Sequence, residues 1–305
     1  MREFQTTLKN TVSINGKGLH SGRIVRLLIE PAEANHGIVF KRTDSELAQA
    51  VKALAPNIGK TTLNTSIGEG ASSVSTIEHL MAAFSGLEIH NALVKIDGPE
   101  VPILDGSSKV YVEAFEGAGI LELKEPLRYL RVKKELLFEK DGQSFSLFPS
   151  LDNEIDCTID FGDDVIGRQS ILYTPSPEEF KKISIARTFC RLEDVNNMRA
   201  VGLALGGSLE NAIVISKDEG IMNEEGLRCE DEFVCHKLLD LIGDLYLLGA
   251  PILGGIKAVK PGHTVHSIIT KQGIEHFDEY FDMVTLKDLK KKVNTRVTNT
   301  CESQL

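Results

Sequence analysis

What this chain lacks narrows its class before anything it contains does. Its five cysteines (Cys157, Cys190, Cys229, Cys235, Cys301) are odd in number and include no CxxC pair. That speaks against a disulfide framework and for free thiols in a reducing compartment. No apolar run of about 18 residues is present to span a bilayer, and Met1-Arg2-Glu3-Phe4-Gln5-Thr6 has no apolar signal core, so a cytoplasmic protein is expected. Basic excess is missing too. Against 34 Lys and Arg stand 44 Asp and Glu, a formal charge of -10 that argues against a nucleic-acid partner, although local basic residues can still hold a small anion. Several motifs are also absent. There is no GxSxG elbow and no HExxH. Gly59-Lys60-Thr61 ends like a phosphate loop, but Leu54 stands where the opening glycine belongs. Gly16-Lys17-Gly18-Leu19-His20-Ser21-Gly22 misses the dinucleotide spacing and reads as a tight turn between strands.

What is present is an ordinary globular composition, 42% hydrophobic and 26% charged over 305 residues, long enough for two domains of about 100 to 150 residues. Residues 12–14, 25–30, 38–42 and 61–67 read as short strands between turn signals. Ser75-Thr76-Ile77-Glu78 fits a capping box opening a helix to Phe84, with Gly86 as its stop. A strand over 92–96 and a helix over 107–115 follow, and 117–126 reads as a boundary. Asp141-Gly142 predicts a hairpin between 131–139 and 144–148. Strands over 155–161 and 169–173, a helix started by Ser176-Pro177-Glu178-Glu179 and a strand over 212–216 come next. A helix over 231–248, a strand over 252–260 and a helix over 262–271 close the pattern. Both halves thus end in helix, strand, helix. The expected class is α+β, with two domains of related topology, each a mainly antiparallel sheet carrying helices on one face. The division is 1–126, 127–275, and a polar tail 276–305 whose Lys287, Lys290, Lys291, Lys292 and Arg296 read as a solvated terminus.

The stretch His236-Lys237-Leu238-Leu239-Asp240-Leu241-Ile242-Gly243-Asp244 carries the chemistry. On a helix, residues four apart face the same way with about 5 to 6 Å between Cβ atoms, so His236 and Asp240 can share one metal ion. Asp244 extends the stripe. The surrounding residues are apolar nearly all round, and carboxylates in such a helix require a cation or a firm hydrogen-bond partner. A third ligand must come from the other histidines (20, 36, 79, 90, 263, 266, 276), of which His79 beside Glu78 opens the matching helix of the first half. Two histidines and an aspartate leave a position for water, as in catalytic zinc sites. Plainer alternatives stand beside these. Glu78 also fits as a capping-box carboxylate, His79 as a packed histidine, and Lys237 as a lysine stretching to solvent.

Thr76-Ile77-Glu78-His79-Leu80-Met81-Ala82-Ala83, the run Glu230 to Leu245 and Lys260-Pro261-Gly262-His263 resemble the UDP-3-O-acyl-N-acetylglucosamine deacetylases. Gly18-Leu19-His20-Ser21-Gly22, the run Pro99 to Ser107 and Ala186-Arg187-Thr188-Phe189 fit the same family. The resemblance runs from about residue 3 to 272. It implies a metal-dependent amidase of lipid A biosynthesis in a Gram-negative bacterium, taking acetate from the 2-amino group of an acylated UDP-sugar, with the active site at the domain interface. It places the metal ligands on His79, His236 and Asp240, and the catalytic groups on Glu78, His263, Asp244 (partner of that histidine) and Thr188 (at the oxyanion). Substrate contacts fall on Lys237 and Phe189. The implied cofactor is Zn2+, with Fe2+ accepting the same ligands, and the implied state is a monomer. An acyl-chain passage would come from an insert over 189–214, with Val201, Leu203, Leu205, Ile213 and Val214 as walls. Two positions depart from the family's usual pattern: His266 stands where asparagine is common, and Cys190-Arg191 replace a glycine-containing version. A reading from another class is a non-catalytic binding protein for a nucleotide sugar or lipid, with a structural metal. Glu78 discriminates, because a closed structural site has no use for a free carboxylate at its edge.

Overall fold

Two runs of sequence with one internal order build the molecule. The computed structural model describes residues 1–162 and 165–291. The first run comprises β1 (Phe4–Leu8), β2 (Val12–Lys17), β3 (Ile24–Pro31), β4 (Ile38–Arg42), β5 (Val51–Lys52), α1 (Glu78–Gly86), β6 (Ala92–Ile96), α2 (Lys109–Ala118) and β7 (Ile120–Pro126). Then come β8 (Arg128–Val132), β9 (Leu136–Lys140), β10 (Gln143–Phe148), β11 (Ile155–Asp160), β12 (Arg168–Tyr173) and α3 (Pro177–Ile183). A further segment adds β13 (Phe189–Arg191), α4 (Leu192–Ala200), β14 (Ile213–Ser216) and β15 (Gly220–Ile221). The chain continues through α5 (Glu232–Leu245), β16 (Ile252–Leu253), β17 (Gly255–Val259), α6 (His263–Glu275), α7 (Phe277–Tyr280) and β18 (Phe281–Thr285).

The five-stranded sheet of the first half runs β2-β3-β6-β4-β5, and the second runs β9-β10-β17-β11-β12. In each, the third and fourth strands are parallel and all other neighbours antiparallel. A parallel pair needs a long crossover; α1 lies in one crossover and α5 in the other. The strands that flank each unit repeat as well, β1 pairing antiparallel with β7 and β18 antiparallel with β8. The molecule is therefore α+β with two units of related topology, as the order of the sequence elements implied.

Local chemistry explains the elements. In β3, Val25, Leu27 and Ile29 are buried while their neighbours turn outward, the two-residue period of a half-covered strand. Asp141 and Gly142 both have positive φ (52° and 76°), the geometry of a tight mirror-image hairpin turn between β9 and β10. Ser176 Oγ accepts from Glu179 N–H at 3.1 Å and caps α3. The two sheets meet through their helices. Helix α1 packs most closely on α5, α5 also lies on β11 and β12, α6 on β9 and α2 on β2. Every residue of α5 except Lys237 is buried.

Four expectations are corrected. Residues 61–67 extend no strand: only Ile67 forms isolated bridges, to Ile58 and Val74, because the polar groups of Asn64, Thr65 and Ser66 turn inward. The capping box does not form. Helix α1 starts at Glu78, Thr76 has φ 56°, and Ser75 is held by the residue 99–101 segment, so no hydroxyl reaches the helix amides. The supposed boundary at 117–126 contains β7, a half-exposed strand whose charges hid its pairing with β1. The tail expected from residue 276 is folded as far as β18, where buried Phe281 and Val284 anchor the strand. Lys292, Arg296 and Cys301 lie outside the described residues.

Candidate metal centre and active site

The site forms where α1 and α5 touch, and a glycine sets that contact. A Cβ on Gly243 would lie 2.1 Å from the Glu78 carbonyl oxygen and 3.0 Å from Ala82 N, so only glycine lets the two helices meet backbone to backbone. That approach brings the first turn of α1, with Glu78 and His79, against the stripe His236, Asp240 and Asp244 on α5. His79 Nε2 and His236 Nε2 each lie 3.5 Å from Asp240 Oδ1. The ligating atoms of the three residues are all within 4.8 Å of one another, and all three residues are buried.

His236 and Asp240 are held from behind. His236 Nδ1 lies 3.1 Å from the Ala186 carbonyl; a carbonyl only accepts, so Nδ1 carries the proton and Nε2 presents its lone pair. Burial holds His236 down to about 3, keeping the imidazole neutral. Lys237 Nζ donates to Asp240 Oδ2 at 2.9 Å, leaving Oδ1 enclosed with no hydrogen-bond partner. Burial pushes Asp240 upward, but His236, Lys237 and His79 outweigh it and keep the carboxyl well below the usual range.

Beside this cluster, Glu78 Oε2 accepts from Thr65 N–H at 3.0 Å, and Oε1 lies 4.0 Å from His263 Nε2. Burial raises the Glu78 carboxyl above its ordinary value. His263, first residue of α6, donates from Nδ1 to Asp244 Oδ2 at 2.7 Å. Burial alone would lower His263, but Asp244, with Glu78 and Asp240, raises it to about 9. Asp244 itself is held at about 2 against its burial by His263 and His266.

Phe189 opens β13, preceded by Thr188 and by the buried Arg187, whose backbone N–H and guanidinium both bond the fully enclosed Glu232 carboxylate. Thr188 N–H donates to Gly106 O at 2.8 Å and ties this segment to the first half. Lys237 Nζ stands 5.8 Å from the centre of the Phe189 ring. A cavity of about 420 Å³ is lined by Glu78, His79, Thr188, Phe189, His236, Lys237, Asp240 and His263. Asp244 lies behind His263 rather than in the wall. A second, mostly apolar cavity of about 290 Å³ shares Leu19, Leu63, Thr188 and Phe189 with the first. Of the five residues expected to wall an acyl passage, Val214 lines this cavity; Leu203 and the buried Ile213 do not, and Val201 and Leu205 are 73% and 55% exposed, while Leu192, Val195, Met198, Ala212 and Met222 stand in its wall.

Sequence reasoning missed Thr65, which bonds Glu78 through its amide and Asp244 through its hydroxyl at 2.6 Å. A single threonine in a loop carries no local signal for contacts 13 and 179 residues away. It also missed Glu100, whose carboxylate accepts from the His20 and Ser21 amides and from Thr76 Oγ1, tying the glycine-rich turn to the residues before Glu78.

The family model for UDP-3-O-acyl N-acetylglycosamine deacetylase matches residues 5–274. A protein of Syntrophus aciditrophicus is 42% identical over 279 residues, covering 91% of this chain and 88% of its own length. One of Geobacter sp. (strain M21) is 46% identical over 270 residues, 88% of each. One of Chromohalobacter salexigens is 42% identical over 287 residues, 93% of this chain and 94% of its own. All three are named UDP-3-O-acyl-N-acetylglucosamine deacetylase. With matches this long on both sides, the chain belongs to the UDP-3-O-acyl N-acetylglycosamine deacetylase family.

Proposed function

We propose that this protein is a metal-dependent hydrolase that removes acetate from the 2-amino group of UDP-3-O-acyl-N-acetylglucosamine, the deacetylation step of lipid A biosynthesis. The observation that carries the reading is Asp240 Oδ1, a buried carboxylate oxygen with no hydrogen bond and two imidazole nitrogens at 3.5 Å. Two imidazole nitrogens and a carboxylate suit Zn2+, and Fe2+ accepts the same set. His79, His236 and Asp240 would hold the ion. When bound, it supplies Lewis acidity toward the amide carbonyl and lowers the pKa of water at the site.

The chain's own residues do the rest. Glu78 takes a proton from water as the oxygen attacks the acetamide carbon. The Thr188 hydroxyl, in the same wall, stabilises the oxyanion. His263, charged and backed by Asp244, gives its proton to the sugar nitrogen as the C–N bond breaks, so acetate and the free amine leave. Lys237 and Phe189 contact the substrate, and the apolar cavity beyond Phe189 takes its acyl chain. The proposed working state is a monomer. The four described cysteines are free, which supports the cytoplasm as the setting. No helix among the described residues is long and apolar enough to cross a membrane. We place the boundary between the two domains at Leu127, between β7 and β8, and extend the second through β18.

A binding module with a structural metal is not favoured. Such a site closes its fourth position with a ligand, whereas here the cation site opens to a cavity next to Glu78. The test is acetate release from the acylated UDP-sugar by purified protein, with metal content measured on the same sample. Stoichiometric metal and turnover that stops on chelation are expected; a metal-free protein, or none of this hydrolysis, overturns the reading.

A further inference from the structure

Asp244 meets two histidines on one oxygen. Its Oδ2 accepts from His263 Nδ1 and from His266 Nδ1, each at 2.7 Å, while Oδ1 takes the Thr65 hydroxyl at 2.6 Å. An ionised carboxylate only accepts, so both ring nitrogens carry hydrogen. The histidines differ at their far ends. His263 Nε2 faces Glu78 Oε1 and Asp240 Oδ2, both at 4.0 Å, on the cavity wall. His266 Nε2 is fully enclosed with no hydrogen-bond partner, and its ring lies edge-on to Phe145 with centroids 5.7 Å apart.

A proton on His266 Nε2 would be a buried N–H with no acceptor, so this ring stays neutral. Its pKa is lowered by burial, in agreement. His266 therefore gives Asp244 a hydrogen bond and no charge of its own. The bond has a geometric effect as well. With two donors on Oδ2 and one on Oδ1, the carboxylate cannot turn about its Cβ–Cγ bond without breaking all three. His263 is the first residue of α6, and its ring is held through Nδ1 by Asp244. An apolar residue would fill the His266 position at lower desolvation cost, so the hydrogen bond is what the histidine adds.

We propose that His266 is a positioning residue for His263, locking the Asp244 carboxylate in the rotation that aims His263 Nε2 at the reacting nitrogen. This rests on the reading of His263 as the acid. His266→Leu fills the space and removes the donor, whereas His266→Asn keeps an amide N–H near the place of Nδ1. The leucine variant is expected to lose about tenfold or more in kcat, the size of a small misplacement, with KM and metal content unchanged. The asparagine variant should recover most of that loss. In 15N-histidine-labelled wild type, His266 should show a protonated Nδ1 and a bare Nε2 at neutral pH. The His263 Nδ1–H signal should shift in the leucine variant and stay near its wild-type position in the asparagine one.

A cationic His266, or one protonated on Nε2, overturns the proposal in the wild type alone. So does full kcat in the leucine variant, an asparagine variant as slow as leucine, or a kcat loss with the His263 signal unmoved. Failure of the underlying reading is separate: full turnover by His263→Ala, measured alongside, removes the acid itself.

Discussion

In the proposed mechanism Glu78 and His263 stand on opposite sides of the same reaction, and their environments push both pKa values up for different reasons. Glu78 rises because burial disfavours its charge; His263 rises because Asp244 favours its charge. The proposed mechanism needs Glu78 ionised and His263 protonated. The rate should therefore climb as pH passes a Glu78 value above the ordinary carboxylate range, and fall as pH passes about 9, where His263 loses its proton. Linkage has the same sign. A histidine raised from 6.5 to about 9 adds stability that is complete below 6.5 and lost as pH rises through 9. A rate that stays flat from pH 8 to 10 would contradict the assignment. Glu78→Ala should lower kcat by about a hundredfold or more with metal still bound, and wild-type turnover in that variant would remove the base. The pair His236 and Asp240 was legible from its spacing within an apolar helix. Glu78 was open to two readings, since its four-residue pattern matches a capping box; the positive φ of Thr76 goes with the absence of that box, and no local rule foretells it.

Between elements, the decisive contact is α1 on α5 through Gly243. Ligands on two helices can share an ion only if the helices stay at this separation. Gly243→Ala puts a methyl into the Glu78 carbonyl, and the helices must move apart. Overpacking of this kind costs about 1 to 3 kcal/mol, so a lower thermal midpoint and weaker metal affinity are expected together. A variant that loses stability yet binds metal as tightly as wild type would show that the separation is not what the ligands need. The helix-strand-helix ending of each half was readable, as was the Asp141-Gly142 turn. The parallel strand pairs were not, because partners such as Ile155 on β11 and Ile256 on β17 lie far apart in sequence and strand periodicity carries no direction. Strands β7 and β18 were hidden by the charges that interrupt or follow them.

Over the whole molecule, two units of one topology face each other and divide the work unequally. The first supplies Glu78 and His79; the second supplies His236, Asp240, Asp244 and His263, together with the segment from Phe189 to Ile221 that builds the apolar cavity. Gly206, whose added Cβ would lie 2.1 Å from the Gly18 carbonyl, lets that segment dock on the first unit. Leu205 and Gly206 amides donate to the carbonyls of His20 and Leu19. The cavity walls were poorly legible, since residues on α4 and β14 read equally well as plain core. Ala212 lines this cavity and is 6% exposed. Ala212→Phe should raise KM for a long-chain acyl substrate about tenfold or more, by blocking the burial of several methylenes at about 0.8 kcal/mol each, while a short-chain substrate keeps its KM. Equal effects on both chain lengths would place the acyl group elsewhere.

The ligand assignment rests on three residues from two units converging on one ion, while a second buried trio, Asp244, His263 and His266, also brings its donor atoms within 4.8 Å. An anomalous-difference map recorded at the zinc edge on crystals of the metal-loaded protein separates the two. One peak bounded by His79 Nε2, His236 Nε2 and Asp240 Oδ1 is the result expected. A peak at the Asp244 trio, or none at the first, would contradict the account.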